Sequence, residues 1–68
     1  MTRADALYLR GRALLAECAD AAQRGSTPEA MALSYRGLAA LALAGGNGTH
    51  RFARSLARRY LMEARKWK

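Results

Sequence analysis

The chain has 68 residues, a net charge of +7 and an isoelectric point near 10.8, with 51% hydrophobic and 25% charged residues. That length makes one domain burying only about 60% of the surface its unfolded form exposes, and the composition excludes an apolar-poor disordered chain. A single cysteine, Cys18, and a single histidine, His50, exclude a disulfide framework and a Cys/His zinc site within one chain, which leaves oligomerisation as the way to reinforce a thin core.

Thr2 and Asp5 stand at the spacing of a capping box, with a shorter acid than usual at the third position. They predict a first helix over residues 3–24. Apolar residues repeat within it every seven positions: Ala4, Gly11 and Cys18, then Leu7, Leu14 and Ala21, then Tyr8, Leu15 and Ala22. The opposite line, Arg3, Arg10, Glu17 and Arg24, is charged throughout, as a solvated face requires. A glycine inside a helix costs about 0.5–1 kcal/mol relative to alanine, so Gly11 implies close approach of a second backbone, with Gly37 and Ala40 as its expected partners; a merely tolerated glycine is the alternative.

Gly25 suits the position just after a helix C-terminus, and Ser26 or Thr27 caps the next helix, with Pro28 and Glu29 in its first turn. This second helix, residues 28–44, carries only two charges, Glu29 and Arg36. Its polar line is thin, running through Glu29, Ala32, Arg36, Ala39 and Leu43. One flank carries Met31, Tyr35, Leu38, Leu41 and Ala42, the other Ala30, Leu33, Gly37, Ala40 and Ala44. Two apolar flanks predict a largely buried central helix, and in so short a chain they favour a homodimer. The residues expected at the dimer contact or at close helix packing are Gly11, Leu14, Tyr35, Gly37, Leu38 and Leu41. Fully helical, the segment spans about 25 Å, short of a hydrocarbon core of about 30 Å, and it contains an arginine, so no membrane span is expected. The first ten residues lack the apolar run of a secretory signal, and a reducing, cytoplasmic setting fits.

The run from Gly45 to Gly48 ends the second helix, and Thr49 caps a third over residues 50–67. A glycine-rich loop before a helix resembles a phosphate cradle, but the strand and lysine of a P-loop are missing, which makes a connector the better reading. The third helix holds most of the charge asymmetry: seven basic residues against Glu63, while residues 1–49 contribute +1. Arg51, Arg54, Arg58 and Arg65 share one face, and Phe52, Ala53, Leu56, Ala57, Tyr60, Leu61 and Ala64 the other.

The fold expected is therefore all-α, a single domain of three helices over residues 1–68. No catalytic constellation, metal site or cofactor motif is present in the sequence: Cys18 falls on an apolar seam far from His50, and core packing explains it better than nucleophilic chemistry. A non-enzyme is expected. Two function classes use the cationic helix. One is a regulatory binder of a partner protein with an acidic surface, for which Arg51, Arg54, Arg58, Tyr60, Arg65 and Trp67 supply residue types enriched in interface hot spots. The other is a nucleic-acid binder, to which a high isoelectric point and clustered arginines also point. A helix-turn-helix geometry fits poorly, because the central helix is long and a glycine-rich connector follows it. A membrane-surface helix is disfavoured because its apolar face is needed for the core.

In size, absence of enzyme motifs and cationic helical surface, the chain resembles in kind the short phage proteins that bind and inhibit host regulators, including quorum-sensing anti-activators and CRISPR inhibitors. The resemblance covers no diagnostic motif. It implies inhibition by occupying a surface of a host protein, with Arg51, Arg54, Arg58, Tyr60 and Trp67 as contacts.

Overall fold

The computed structural model describes residues 1–45 and 51–67 and contains three helices, α1 Arg3–Gln23, α2 Thr27–Gly45 and α3 Arg51–Ala64. The start of α1 is fixed by a capping box: the Asp5 backbone N–H donates to the Thr2 hydroxyl at 3.1 Å, and the Thr2 N–H donates to the Asp5 carboxylate at 3.1 Å. Its end is a Schellman motif. Gly25 adopts φ +79°, and the N–H groups of Gly25 and Ser26 return to the carbonyls of Ala22 and Ala21 at 3.0 Å each. The Ser26 carbonyl accepts from Ala30 N–H at 2.9 Å, making Ser26 the residue that flanks α2. Around this turn Arg24 is held by Asp20 at 3.2 Å and Glu29 at 3.1 Å.

Helices α1 and α2 form an antiparallel hairpin whose closest approach is glycine on glycine. A methyl group built on Gly11 would lie 3.2 Å from the Gly37 carbonyl oxygen, and one built on Gly37 would lie 3.3 Å from the Gly11 carbonyl oxygen. The leucines Leu41 and Leu15 cover the two glycines from the facing helix. The expected partnership of Gly11 with Gly37 is thus made within the chain. Toward the turn, Leu14, Ala21, Ala30 and Leu33 form a buried cluster with Cys18 packed against it. The Cys18 thiol donates to the Ala30 carbonyl at 3.1 Å. Replacing Cys18 with alanine should therefore cost about 1–2 kcal/mol, from a lost small core group and an orphaned carbonyl contact. Chemical denaturation reads this loss, and a variant as stable as the parent would show that the thiol contact contributes nothing.

Helix α3 docks on the other edge of α2 through an alanine stripe, Ala53, Ala57 and Ala64, all buried. Small side chains allow close approach but bury little area each. On α2, Ala39 lies under this edge and is only 2% exposed, so it does not belong to a solvated line with Arg36 as its position in the sequence suggests. The reason is that α3 sits astride the edge that Ala39 shares with Tyr35. Other residues also depart from expectation, Leu38 and Leu61 among them, at 38% and 45% exposed. Tyr8 and Ala22 of the presumed seam are exposed, because the contact to α2 follows the narrower ridge of Gly11, Leu14 and Ala21. Phe52 is 69% exposed, since it lies on the side of the alanine stripe away from α2.

No Cα pair between α1 and α3 comes within 8 Å among the described residues. The molecule measures 35 × 24 × 11 Å along its principal axes, a slab one helix thick with α2 in the middle. Among the described residues, the buried apolar ones are seven alanines and two leucines, Leu14 and Leu33. Among the described residues no helix is long and apolar enough to cross a membrane.

Candidate partner-binding groove

The slab has two broad faces, and on one of them the gap between α1 and α3 is a trough running over α2. Its outer part, about 570 Å³, is lined by the apolar residues Leu43, Ala57, Leu61 and Met62 and by the guanidinium-bearing Arg3, Arg54, Arg58 and Arg65. Leu43 and Leu61 continue into a narrower part of about 150 Å³, where Leu7, Leu14, Ala39 and Ala40 form the floor, with Arg10 and Arg36 beside them. Arg36 and Arg65 also share a shallow recess with Leu61 and Ala64.

Periodicity explains how each arginine reaches this face. Arg3 and Arg10 are seven residues apart on α1 and flank Leu7 and Leu14, so the same turn geometry that buries the leucines raises the arginines on the rim. Arg58 and Arg65 repeat the arrangement on α3 beside Leu61, with Arg54 one turn earlier. Arg36 rises from α2 between Leu33 and Ala40, both buried. Among the described residues, no acidic side chain lines any part of the trough.

Four of the five carboxylate side chains are engaged elsewhere, and the fifth, Glu17, is exposed on α1 outside the trough lining. Asp5 is in the capping box, Asp20 and Glu29 hold Arg24, and Glu63 holds Lys66 at 2.9 Å. The Asp20 hydrogen bond, with the Glu29 charge behind it, raises the Arg24 guanidinium pKa, and the Glu63 hydrogen bond raises that of the Lys66 ammonium. These cations are compensated. Arg3, Arg10, Arg36, Arg54, Arg58 and Arg65 have no ion-pair partner among the described residues.

The six residues expected to contact a partner do not form one patch. Arg54, Arg58 and Arg65 line the trough, while Arg51 joins Arg54, Ser55 and Arg58 in a polar cleft on its outer slope. Tyr60 is turned to the opposite face, half-buried, its ring 6.3 Å from that of Tyr35 and tilted 31° to it. It lines a recess there with Tyr35, Leu56, Arg59 and Glu63, which Met62 at the rim of the trough also borders. Trp67 lies beyond the end of α3 at Ala64 and not in its last turn, and is 37% exposed. Of the residues expected at a dimer contact, Gly11, Leu14, Gly37 and Leu41 are engaged in the α1–α2 hairpin, whereas Leu38 is exposed and Tyr35 half-buried. His50, Thr49 and residues 46–48 lie outside the described residues.

Arg3, Arg10 and Arg36 are trough residues that segment charge hides, because Asp5, Glu17, Asp20 and Glu29 cancel them in a sum over residues 1–49 without facing them in space. The seven-residue step from Arg3 to Arg10, matched by the step from Arg58 to Arg65, is the signal that was available. Comparison with protein-family models, curated proteins and solved structures finds no match.

Proposed function

We propose that the protein is a small non-enzymatic regulator that binds a partner protein through the arginine-rimmed trough and inhibits it by covering its surface. The observation that carries this reading is the combination of six arginines contributed by all three helices, no lining carboxylate, and exposed apolar side chains between them. Phosphate backbones need charge but offer little to Leu43, Leu61 and Met62, whereas a protein surface uses both. The type resemblance to phage inhibitors of host regulators agrees with occlusion as the mode of action.

A photo-crosslinking side chain placed at Met62, on the trough, should capture a protein in nuclease-treated cytoplasmic extract, while the same group at Ala13, on the exposed side of α1, should not. Adducts that disappear with nuclease would reject the reading. Nucleic-acid binding is the second reading, favoured by the purely polar cleft of Arg51, Arg54, Ser55 and Arg58. It requires affinity to fall with salt at a slope of about −0.9 per phosphate neutralised and to fall comparably at each arginine removed.

A homodimer, as proposed from the two apolar flanks of α2, belongs on the opposite face, because two arginine troughs brought together repel. Tyr8 is 48% exposed there and Leu38 is 38% exposed. Light scattering over a dilution series should give twice the chain mass, and Leu38→Glu should return it to the chain mass. A chain mass at every concentration for the parent would exclude the dimer.

A further inference from the structure

The trough has the shape left when one helix is taken from a four-helix bundle. Helices α1 and α3 lie on either side of α2 with no Cα pair between them within 8 Å among the described residues, and the floor between them is built of Ala39, Ala40 and Ala57 with Leu7, Leu43 and Leu61 alongside. We infer that its occupant is an acidic amphipathic helix of the partner protein, seated as a fourth helix with an apolar ridge on the leucines and two lines of carboxylates against the arginine walls. The inference rests on the protein-binding reading above and specifies the partner's chemistry.

The spacing of the walls selects a helix. Arg3 and Arg10 on one side, and Arg58 and Arg65 on the other, stand seven residues apart, which on a helix is a rise of about 10.5 Å per step. Carboxylates seven residues apart on a facing helix rise by the same amount, as flanking charges do in coiled coils. In an extended strand the same step would cover roughly 23 Å and lose register after one pair. A second copy of this chain is excluded from the site by charge, since its own matching surface carries the same arginines. Arginine pairs with carboxylates in a planar, two-pronged geometry, and the leucines and alanines around Arg36 supply the burial that a purely electrostatic contact lacks.

The test uses synthetic peptides of about 21 residues, three heptads: one with leucines on one line and glutamates on both flanks, and an isomer of identical composition whose glutamates are shuffled out of the seven-residue step. Fluorescence anisotropy at about 0.15 M salt should show the patterned peptide binding at least about tenfold tighter than its isomer. The double variant Arg10→Glu, Arg58→Glu should lose the patterned peptide and gain a counterpart carrying lysine in place of glutamate. Leu61→Ser, at a 45% exposed position, should weaken the patterned peptide about fivefold or more while leaving the melting temperature near that of the parent. Equal binding of the isomer overturns the helix assignment. If, with that result, the Met62 crosslinker still captures a protein, the protein-binding reading stands and this inference alone falls. Duplex DNA binding more tightly than the patterned peptide overturns both.

Discussion

Gly37→Leu is expected to lower the melting temperature by on the order of 12–24 °C, corresponding to about 3 kcal/mol or more for a domain of this size. The first added carbon already lies 3.0 Å from Leu15 Cγ and Cδ2 and 3.3 Å from the Gly11 carbonyl oxygen. The remaining atoms of a leucine point into the α1 backbone, which cannot rotate away as a side chain can. Leucine's better helix propensity returns about 1 kcal/mol at most, so packing wins. Gly11→Ala tests the same contact gently: its methyl meets Leu41 Cγ at 2.8 Å, and the propensity gain of about 0.5–1 kcal/mol offsets part of the strain. A graded loss, small for Gly11→Ala and large for Gly37→Leu, is the expected result by circular dichroism. Equal melting of Gly37→Leu and the parent would mean that the two helices do not meet at their glycines.

The second large effect is expected at Ala57, 3% exposed at the α2–α3 contact. Ala57→Glu inserts a charge where α3 is held mainly by an alanine stripe and the Tyr35–Tyr60 ring contact, and burying that charge would cost several kcal/mol, more than so thin a contact supplies. Helix α3 should leave α2 while the α1–α2 hairpin stays folded around Leu14 and Leu33. Hydrogen exchange read residue by residue should show protection lost across residues 53–64 and kept at Leu14, Leu33 and Gly37. Loss of protection in all three helices together would show that the hairpin depends on α3.

Much of the fold was legible because its signals are local. Thr2 and Asp5, Gly25, and Pro28 with Glu29 each fix a helix end through bonds or charge effects spanning a few residues, and two mid-helix glycines on apolar faces find each other in the hairpin. What periodicity does not determine is which faces of different helices look the same way. The turns of the chain, not the pattern within any helix, bring Arg3, Arg10 and Arg36 beside Arg54, Arg58 and Arg65 and send Tyr60 to the far side. The two apolar flanks of α2 likewise read the same whether α1 and α3 or a second copy covers them. The amphipathic pattern also outruns α3: Arg65, Lys66 and Trp67 continue it, yet the helix stops at Ala64, where the Lys66 and Trp67 N–H groups turn to the carbonyls of Glu63 and Ala64 at 3.1 and 3.2 Å.

Because the backbones of α1 and α3 each approach only α2 among the described residues, the free protein is energetically close to a line of two interfaces in series. Mutations in α1 and α3 that share no packing neighbour should therefore be additive in their effects on stability, with a double-mutant coupling energy near zero for a pair such as Arg10→Ala and Arg54→Ala. A ligand that spans the trough closes that line into a ring. The same pair should then show a non-zero coupling in the affinity for the ligand, and the flanking helices, independent until that moment, would unfold as one cooperative unit in the complex.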